Sequence, residues 1–542
     1  MKKASILVTM LLAGLSISVV GCGNKGPKAS NLKEVDPFQY ETTWRSMRIN
    51  GSGYTAEQYT ETKNAEGKKK YVIQDVRALV IPVDFTDFKG EDLPKGEEGT
   101  REQLRKVMFG EDGEMPWYSL AGYYKSSSYG QCNITGDVGE WWHIDDTSVH
   151  FAQEYSTSGS QVIINRIEEF YHSQYMAAKT IGDKEAMEKY DLTKYDANKD
   201  GYVDSLILIY SANIQTTGKL FWAFCWSIPG AWGQYSPERE GMNRFFWASY
   251  WFFYDKYLDK KTKEGYPYAS EAVKQKIAND ELDMDSHTMT HEYGHVLSMP
   301  DYYITDYSSS DYDGMGYLDM MDYNIGDHNA ASKAWYGWIN PKYITGSVKA
   351  TIRSTTTTGD CIMIPINGEY KNTLMDQYLL IEFLTPEGVA KMDGETQFQP
   401  GYPLYYSKAG IRVLHVDARL GSFDYNQQKG EYVFSGFTTS TNKSGDRNYV
   451  GTACSNTASD SCFPDFKLLE LVPSNGKSMK AIKGAAKDEY LYFEGSKFGS
   501  DGIWENYMMH DSAGKSTVPL GFKFEVNKIN GNESAEITFT KL

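Results

Sequence analysis

Cysteine is scarce in this 542-residue chain, and its six cysteines are not spaced as metal ligands. Beyond Cys22 the other five are scattered without any CxxC pair, at Cys132, Cys225, Cys361, Cys454 and Cys462. The absence of CxxC pairs excludes a zinc ribbon that could be recognised from the spacing of its cysteines. Cys454 and Cys462 are close enough to close one loop through a disulfide, and the alternative is that all five are free and buried.

Basic charge is also in short supply. The chain has 55 Lys and Arg against 72 Asp and Glu, a formal net charge of -17. This balance argues against nucleic acid or an anionic membrane surface as a partner. Hydrophobic content is ordinary at 41%, and aromatic content is high at 14%, with 41 tyrosines. The composition favours a secreted globular protein over a disordered one, and the length allows two or three domains.

The chain offers no confident membrane span, because its apolar stretch at residues 4–20 is short and made of small side chains. Two lysines precede this stretch and Cys22 follows it, as in a bacterial lipoprotein signal. We therefore expect residues 1–22 to be a signal peptide, with Cys22 lipidated as the mature N-terminus. A plain secretion signal is the alternative. The polar residues 23–75 are expected to form a tether with a short ordered segment, or a pro-segment.

The residue types that carry chemistry are concentrated at 286–301, which reads SHTMTHEYGHVLSMPD. In a helix, His291 and His295 would point their imidazoles at one spot, with Glu292 beside them. Two neutral imidazoles suit zinc, and a catalytic zinc takes a third protein ligand and keeps one position for water. The pattern predicts a zinc site with Glu292 as the general base.

The third ligand follows from what the next stretch lacks, since no glutamate occurs between His295 and Glu369. Asp301 lies six residues after His295, where a sharp turn would return a carboxylate to the metal. This is the metzincin pattern HExxHxxGxxH with Asp in the last place. The position usually held by glycine is Ser298 here, and a non-glycine residue takes positive φ only at a cost. His328 is the reserve candidate.

Downstream, Met321 is expected to form the methionine turn beneath the zinc site. Tyr323 then stands where a phenol could stabilise the oxyanion of a tetrahedral intermediate. The alternative is that Met320, Met321 and Tyr323 are ordinary core residues.

Oxygen-bearing residues alternate in a second motif, made of Asp196, Asn198, Asp200, Tyr202 through its carbonyl, and Asp204. With Gly201 at the sharp turn, this set suits a hard cation of calcium size. It is not a complete EF-hand, because the twelfth position is Ile207 and the following residues SLILIY predict a strand. We expect a calcium loop that leads into a strand. An Asx-rich turn without an ion is the alternative.

Apolar periodicity predicts the main elements. A buried strand is expected at 76–85, and helices at 102–109, 160–175 and 269–278. The aromatic stretch 245–254 could be the edge strand along which a substrate peptide lies, although core packing is the more ordinary interpretation. Beyond residue 345, short strands separated by turn residues predict a β-rich, sandwich-like domain, with strands at 378–383, 410–416, 468–472 and 521–526.

Together these motifs resemble the immune inhibitor A family of secreted bacterial metallopeptidases, over most of residues 76–420. Besides the zinc and calcium motifs, the segments that carry the resemblance are 83–85, 123–130, 319–321, 333–338 and 410–417. The resemblance implies a metzincin-like zinc endopeptidase with bound calcium. In it, His291, His295 and Asp301 would hold zinc, and Glu292 would be the base.

The expected fold is α+β. A metzincin-like zinc peptidase domain with a mixed sheet and an active-site helix (76–344) precedes a β-rich domain (345–542). We expect a lipid-anchored, extracytoplasmic monomer that binds Zn2+ and Ca2+ and hydrolyses extracellular proteins or peptides with a zinc-activated water. Membrane contact is expected only through the lipid anchor. The alternatives are a surface binding lipoprotein on a zincin scaffold with little catalysis, and a zinc hydrolase acting on a glycopeptide or cell-wall peptide.

Overall fold

The computed structural model describes most of the chain, with gaps. The ranges are 27–38, 59–199, 201–215, 219–227, 241–242, 244–259, 267–304, 312–428, 431–439, 448–457, 462–463 and 465–542. The expected signal peptide with Cys22, and the calcium-loop residue Asp200, lie outside these ranges. Within them, no helix is both long and apolar enough to cross a membrane.

Strands and helices alternate in the N-terminal part. Its strands are β1 (Leu32–Glu34), β2 (Tyr59–Lys63), β3 (Lys69–Ile73), β4 (Asp75–Phe85), β5 (Asn133–Val138), β6 (Trp142–Ile144), β7 (Ser205–Tyr210), β8 (Phe224–Ser227) and β9 (Arg244–Ser249). Its helices are α1 (Gly96–Phe109), α2 (Leu120–Ser127), α3 (Ser148–Tyr155), α4 (Gly159–Ile181), α5 (Lys184–Tyr190), α6 (Glu271–Ala278), α7 (His287–Val296), α8 (Met320–Tyr323) and α9 (Ala330–Trp335).

The central sheet has the strand order β5-β4-β7-β9-β8, with β6 also paired to β4. All of these pairs are parallel except β8 with β9, which is antiparallel. The buried strand predicted at 76–85 is confirmed as β4. The edge-strand hypothesis for 245–254 is wrong, because β9 lies between β7 and β8, and the chain then enters a 3₁₀ helix at Tyr250–Tyr257.

Alternate residues of the sheet serve two cores. Leu79 and Ile81 of β4 face Ile163 and Ile167 of helix α4. Ala78 and Val80 face the opposite side, and that core includes Met289, Tyr293 and Val296 of helix α7. Because strand side chains alternate between faces, one buried strand supports both layers. The sheet therefore gives α7 a fixed apolar platform.

Strands dominate the C-terminal part. They are β10 (Lys342–Ile344), β11 (Val348–Arg353), β12 (Cys361–Pro365), β13 (Gln377–Leu384), β14 (Gly410–Asp417), β15 (Leu420–Asn426), β16 (Glu431–Thr438), β17 (Asn448–Thr452), β18 (Leu469–Leu471), β19 (Lys497–Phe498), β20 (Met508–His510), β21 (Ser516–Pro519), β22 (Phe522–Asn530) and β23 (Ser534–Lys541). The helices are α10 (Thr355–Thr358), α11 (Gly388–Glu395) and α12 (Met479–Ile482).

Two of these sheets pack face to face. The larger has the order β1-β10-β12-β13-β14-β18 and the smaller β11-β23-β22-β19. Leu379 and Ile381 of β13 meet Phe524 and Ile537 of the smaller sheet in one core. The mixed α+β architecture is thereby confirmed. Strand β1 pairs with β10, so residues 32–34 of the expected tether are part of this sheet.

The other face of the larger sheet packs toward helix α7. Tyr378 and Leu380 of β13 and Leu414 of β14 belong to the same core as Tyr293 of α7. Contacts thus cross the domain boundary expected near residue 345, and the boundary itself stays a prediction. The candidate zinc helix is held between the central sheet and the larger C-terminal sheet.

Candidate active site

Helix α7 begins where two polar groups fix its first turn. The Ser286 hydroxyl donates to the Tyr118 carbonyl at 2.6 Å, and the Asp285 carboxylate accepts from the His287 N–H at 2.9 Å. His291 and Glu292 are 4% and 9% exposed, so the reactive side chains sit in a nearly dry environment. The sequence motif therefore lies on a helix, as predicted.

A tight turn follows the helix. The N–H of Ser298 donates to the His295 carbonyl at 2.8 Å, and that of Met299 donates to the Gly294 carbonyl at 2.9 Å. Ser298 has a φ of 81°, so it takes the left-handed conformation that glycine usually supplies. For a non-glycine residue this costs about 1–2 kcal/mol. The turn forms nonetheless, and it returns Asp301 to the helix.

Two imidazoles and one carboxylate converge after this turn. Asp301 Oδ1 lies 3.2 Å from His291 Nε2 and 3.0 Å from His295 Nε2. Ligand atoms of all three residues lie within 4.8 Å of one another. The structure places Asp301 beside the two histidines, and His328 is not part of this group.

Backbone carbonyls orient both rings. His291 Nδ1 faces the Met320 carbonyl at 2.8 Å, and His295 Nδ1 faces the Met299 carbonyl at 2.7 Å. A carbonyl only accepts, so each neutral ring carries its hydrogen on Nδ1 and turns the Nε2 lone pair toward Asp301. Three electron-pair donors directed at one point fit a divalent zinc ion, whose ligands are nitrogen and oxygen.

The pKa values of His295 and Asp301 reflect the same convergence. Burial disfavours the His295 imidazolium, but the Asp301 carboxylate outweighs burial and raises the pKa of His295 to about 9. The two histidines in turn hold the pKa of Asp301 well below its usual range, against the effect of burial. A positive charge at this point is strongly favoured, and a divalent cation supplies it without protonating the ligands.

Glu292 has the environment of a proton acceptor. Burial raises the pKa of Glu292, while the adjacent histidines lower it. A carboxylate held in a dry site is a stronger base than one in water. At the C-terminal end of the helix, the Arg244 guanidinium donates to the His295 carbonyl and so braces the last turn.

The turn around Met321, expected from the sequence to be a methionine turn, lies directly beneath helix α7. A Cβ on Gly294 would stand 2.3 Å from Met321 Sδ, so the glycine leaves room for the methionine. Asp319 holds the turn through its carboxylate, which accepts from the N–H of Met321 at 3.0 Å and from Asn329 Nδ2 at 2.9 Å. The turn therefore fits into the space left by Gly294.

Tyr323 lies at the end of this turn. Its ring packs against Tyr317, with centroids 4.4 Å apart, and against Tyr402 at 5.3 Å. Its role toward an oxyanion stays a prediction. A second tyrosine, Tyr303, has its ring 6.0 Å from that of His291.

Sequence reasoning missed a buried ionic cluster on the same helix. His287 stacks between Trp117 and Phe398, with centroid distances of 3.5 and 4.4 Å. Its Nδ1 and Nε2 face Asp285 at 2.7 Å and Asp393 at 3.1 Å. The two carboxylates outweigh burial and raise the pKa of His287 to about 9. No local pattern connects Asp393 to this helix, because it comes from α11.

The reserve ligand His328 occupies a different environment. Its ring lies among Tyr123, Tyr124, Tyr336 and Trp338, with centroid distances between 5.5 and 6.4 Å. Burial holds the pKa of His328 well below its usual range. It is therefore a neutral ring of the aromatic core.

The described residues of the expected calcium loop lead straight into β7, as predicted. Asp196 Oδ2 accepts from the Gly201 N–H at 2.9 Å. Asp204 Oδ2 accepts from the N–H groups of Ala197 at 3.1 Å and Arg77 at 2.8 Å. Burial raises the pKa of Asp204 to about 7. Calcium binding stays a prediction for the described members Asp196, Asn198, Tyr202 and Asp204.

Comparison with curated proteins finds a distant relationship. Over 270 residues the chain is 23% identical to Immune inhibitor A of Bacillus thuringiensis subsp. alesti. The match covers 44% of this chain and 36% of that protein, so the chain spans little more than a third of the relative's length. No family model matches the chain. The family resemblance in the sequence is therefore supported as distant homology.

Proposed function

We propose that this protein is a zinc-dependent endopeptidase. The observation that carries the proposal is the convergence of His291, His295 and Asp301 on one point, with Glu292 on the same buried helix. The distant relationship to Immune inhibitor A supports protease activity. The zinc mechanism is our inference from the donor set.

When bound, zinc would polarise the scissile carbonyl and lower the pKa of a water molecule toward neutrality. Glu292 takes the proton from the attacking water and delivers it to the leaving amine. The carbonyls of Met320 and Met299 keep the two imidazole rings in the tautomer that presents Nε2. Tyr323 would add a hydrogen bond to the oxyanion.

Strand β8 offers a place for an extended substrate. It is the last strand of the central sheet within the described residues, and it packs beside helix α7. A peptide that adds to such a strand gains affinity from main-chain hydrogen bonds, which any sequence can make. This arrangement suits endopeptidase cleavage of proteins.

For the location we retain the lipoprotein interpretation of the N-terminus. Lipidation of Cys22 would anchor the enzyme outside the cytoplasm, where its substrates are extracellular proteins. Mass spectrometry of the protein from membranes would then find a lipid-modified Cys22 as the first residue. A protein that is released with an unmodified Cys22 would contradict the anchor.

The base is tested by Glu292→Gln, which preserves the shape of the side chain and removes its basicity. We expect zinc content to stay at one ion per chain while cleavage of denatured casein falls by about 10²–10⁴-fold. Glu271→Gln, in the first turn of α6, is the matched control and should keep full activity.

Two results would contradict the proposal. Turnover of Glu292→Gln at the wild-type rate would exclude Glu292 as the base. Zinc-loaded wild-type protein that cleaves no casein would favour the binding lipoprotein. Removal of zinc by phenanthroline should abolish cleavage, and added zinc should restore it.

A further inference from the structure

Two aspartates beside the methionine turn are buried against each other. Asp313 is 5% exposed and Asp322 is 2% exposed. After burial, the strongest influence on the pKa of each carboxyl group is the other carboxyl group. Asp322 belongs to helix α8, directly after Met321, whereas Asp313 precedes that helix in the chain.

Only one of the four carboxyl oxygens has donors. Asp313 Oδ1 accepts from the N–H groups of Met315 at 3.0 Å, Gly316 at 2.7 Å and Tyr317 at 3.3 Å. Asp313 Oδ2 and both oxygens of Asp322 are buried, and among the described residues none donates a hydrogen bond to them. The Tyr317 N–H also favours the Asp322 anion, but it already donates to Asp313.

Among the described residues, the charged groups that act most strongly on this pair do not compensate it. Besides Asp313, a third buried carboxylate, Asp319, acts on Asp322 and disfavours its ionised form. Arg412 acts on Asp319, but its guanidinium is bound to Glu382 at 2.6 and 3.0 Å. Buried charge without a partner is strongly unfavourable, so this cluster needs a positive charge or a proton.

A single proton shared by Asp313 and Asp322 would not give every buried oxygen of the pair a partner. It would join one oxygen of each aspartate, and the second oxygen of Asp322 would still be buried without a partner. All three unpartnered oxygens could coordinate one hard divalent cation at once. Such ions prefer carboxylate and carbonyl oxygens supplied by loops. The unpartnered oxygens therefore favour a cation.

We propose that Asp313 and Asp322 bind a calcium-like divalent cation that fastens the segment starting at Asp313 to the methionine turn. The site is separate from the expected calcium loop, and it does not depend on the proposed peptidase activity. Bound there, the ion would link the two ends of the 313–322 segment beneath the zinc helix. Its role would be structural.

The test is a count of bound calcium by equilibrium dialysis with radioactive calcium, using the full chain. Asp322→Asn should bind one calcium ion fewer than wild type, and calcium should raise its melting temperature less. Asp196→Asn, in the other loop, is the matched control and should keep the calcium that Asp322→Asn loses. An unchanged calcium count in Asp322→Asn would overturn the proposal, because the amide would then be replacing a protonated acid.

Crystals of the wild-type protein grown with calcium give a second measurement if Asp322→Asn does not fold. We expect a density peak about 2.3–2.6 Å from Asp313 Oδ2 and from Asp322. Carboxyl oxygens in direct contact at about 2.5–2.7 Å, with no peak between them, would establish a shared proton and overturn the cation.

Discussion

Charge at single buried residues shapes helix α7, which carries the candidate active site. His287 lies one turn before His291, and both of its ring nitrogens face carboxylates. A carboxylate only accepts, so the ring carries both protons and is an imidazolium. It ties Asp285, ahead of the helix, to Asp393 of α11, and thus connects helix α7 to the C-terminal part.

This imidazolium predicts a loss of stability in mild alkali. The pKa of His287 is about 9 in the folded protein, against about 6.5 in the unfolded chain. Its stabilisation is therefore complete below pH 6.5 and is lost as the pH rises through 9, a loss of about 3 kcal/mol. Urea unfolding of the zinc-loaded protein between pH 6 and 10 measures it, because a bound zinc ion keeps His295 from titrating in this range.

His287→Gln should lack this pH dependence, and His172→Gln on helix α4 should retain it. A wild-type slope in His287→Gln would show that another group titrates in this window. The sequence could not predict that Asp285 and Asp393 both contact His287. The two aspartates are 108 positions apart, and only the tertiary fold brings them together.

At the scale of elements, sequence patterns within one helix or turn predicted the structure better than patterns that depend on distant segments. The HExxH helix and the return of Asp301 were predictable, because both depend on spacing within one helix and one turn. For the stretch 245–254, core packing is confirmed as the interpretation, and the edge strand is wrong. The Ser249 hydroxyl accepts from the Trp251 N–H at 3.1 Å and starts a 3₁₀ helix there, so an apolar run that looked continuous is divided by a cap.

The fit between α7 and the methionine turn makes a prediction at this scale. Gly294→Ala places a methyl group where Met321 Sδ lies, so we expect a loss of about 1–3 kcal/mol in stability and weaker zinc retention. Gly484→Ala is the matched control, because a Cβ there meets no atom within 4 Å. Thermal unfolding and zinc content measure both variants.

If the clash is the cause, Met321→Ala should cost less stability in the Gly294→Ala background than alone. Additive effects of the two changes would contradict direct contact between these residues. The sequence alone could not single out Gly294, because the HExxH motif does not specify the residue at that position. Only the contact with Met321 shows why glycine is needed there.

Over the whole molecule, the C-terminal sheet supports the site. Glu382 of β13 and Arg412 of β14 form a fully buried ion pair across neighbouring strands. Glu382 also accepts from the Ala330 N–H at 2.7 Å, where helix α9 begins. Arg412 donates to the Leu318 carbonyl at 3.4 Å, just before the methionine turn. The pair therefore joins the larger C-terminal sheet to the elements around the candidate zinc site.

Arg412→Met should consequently destabilise the protein by about 3–5 kcal/mol and weaken zinc retention, because Glu382 is left buried without its partner. Arg353→Met is the matched control, since its ion pair with Asp360 is half exposed and should matter by less than about 1 kcal/mol. Denaturant unfolding compares the two. Equal losses of stability in the two variants would show that burial does not determine how much the Glu382–Arg412 pair contributes.

The central claim is that one zinc ion is held by His291, His295 and Asp301. Anomalous diffraction from crystals of the purified protein, recorded at the zinc absorption edge, tests it most directly. We predict one strong peak about 2.0–2.2 Å from both Nε2 atoms and from an Asp301 oxygen. A peak held by other residues, or one that Asp301 does not reach, would contradict the account.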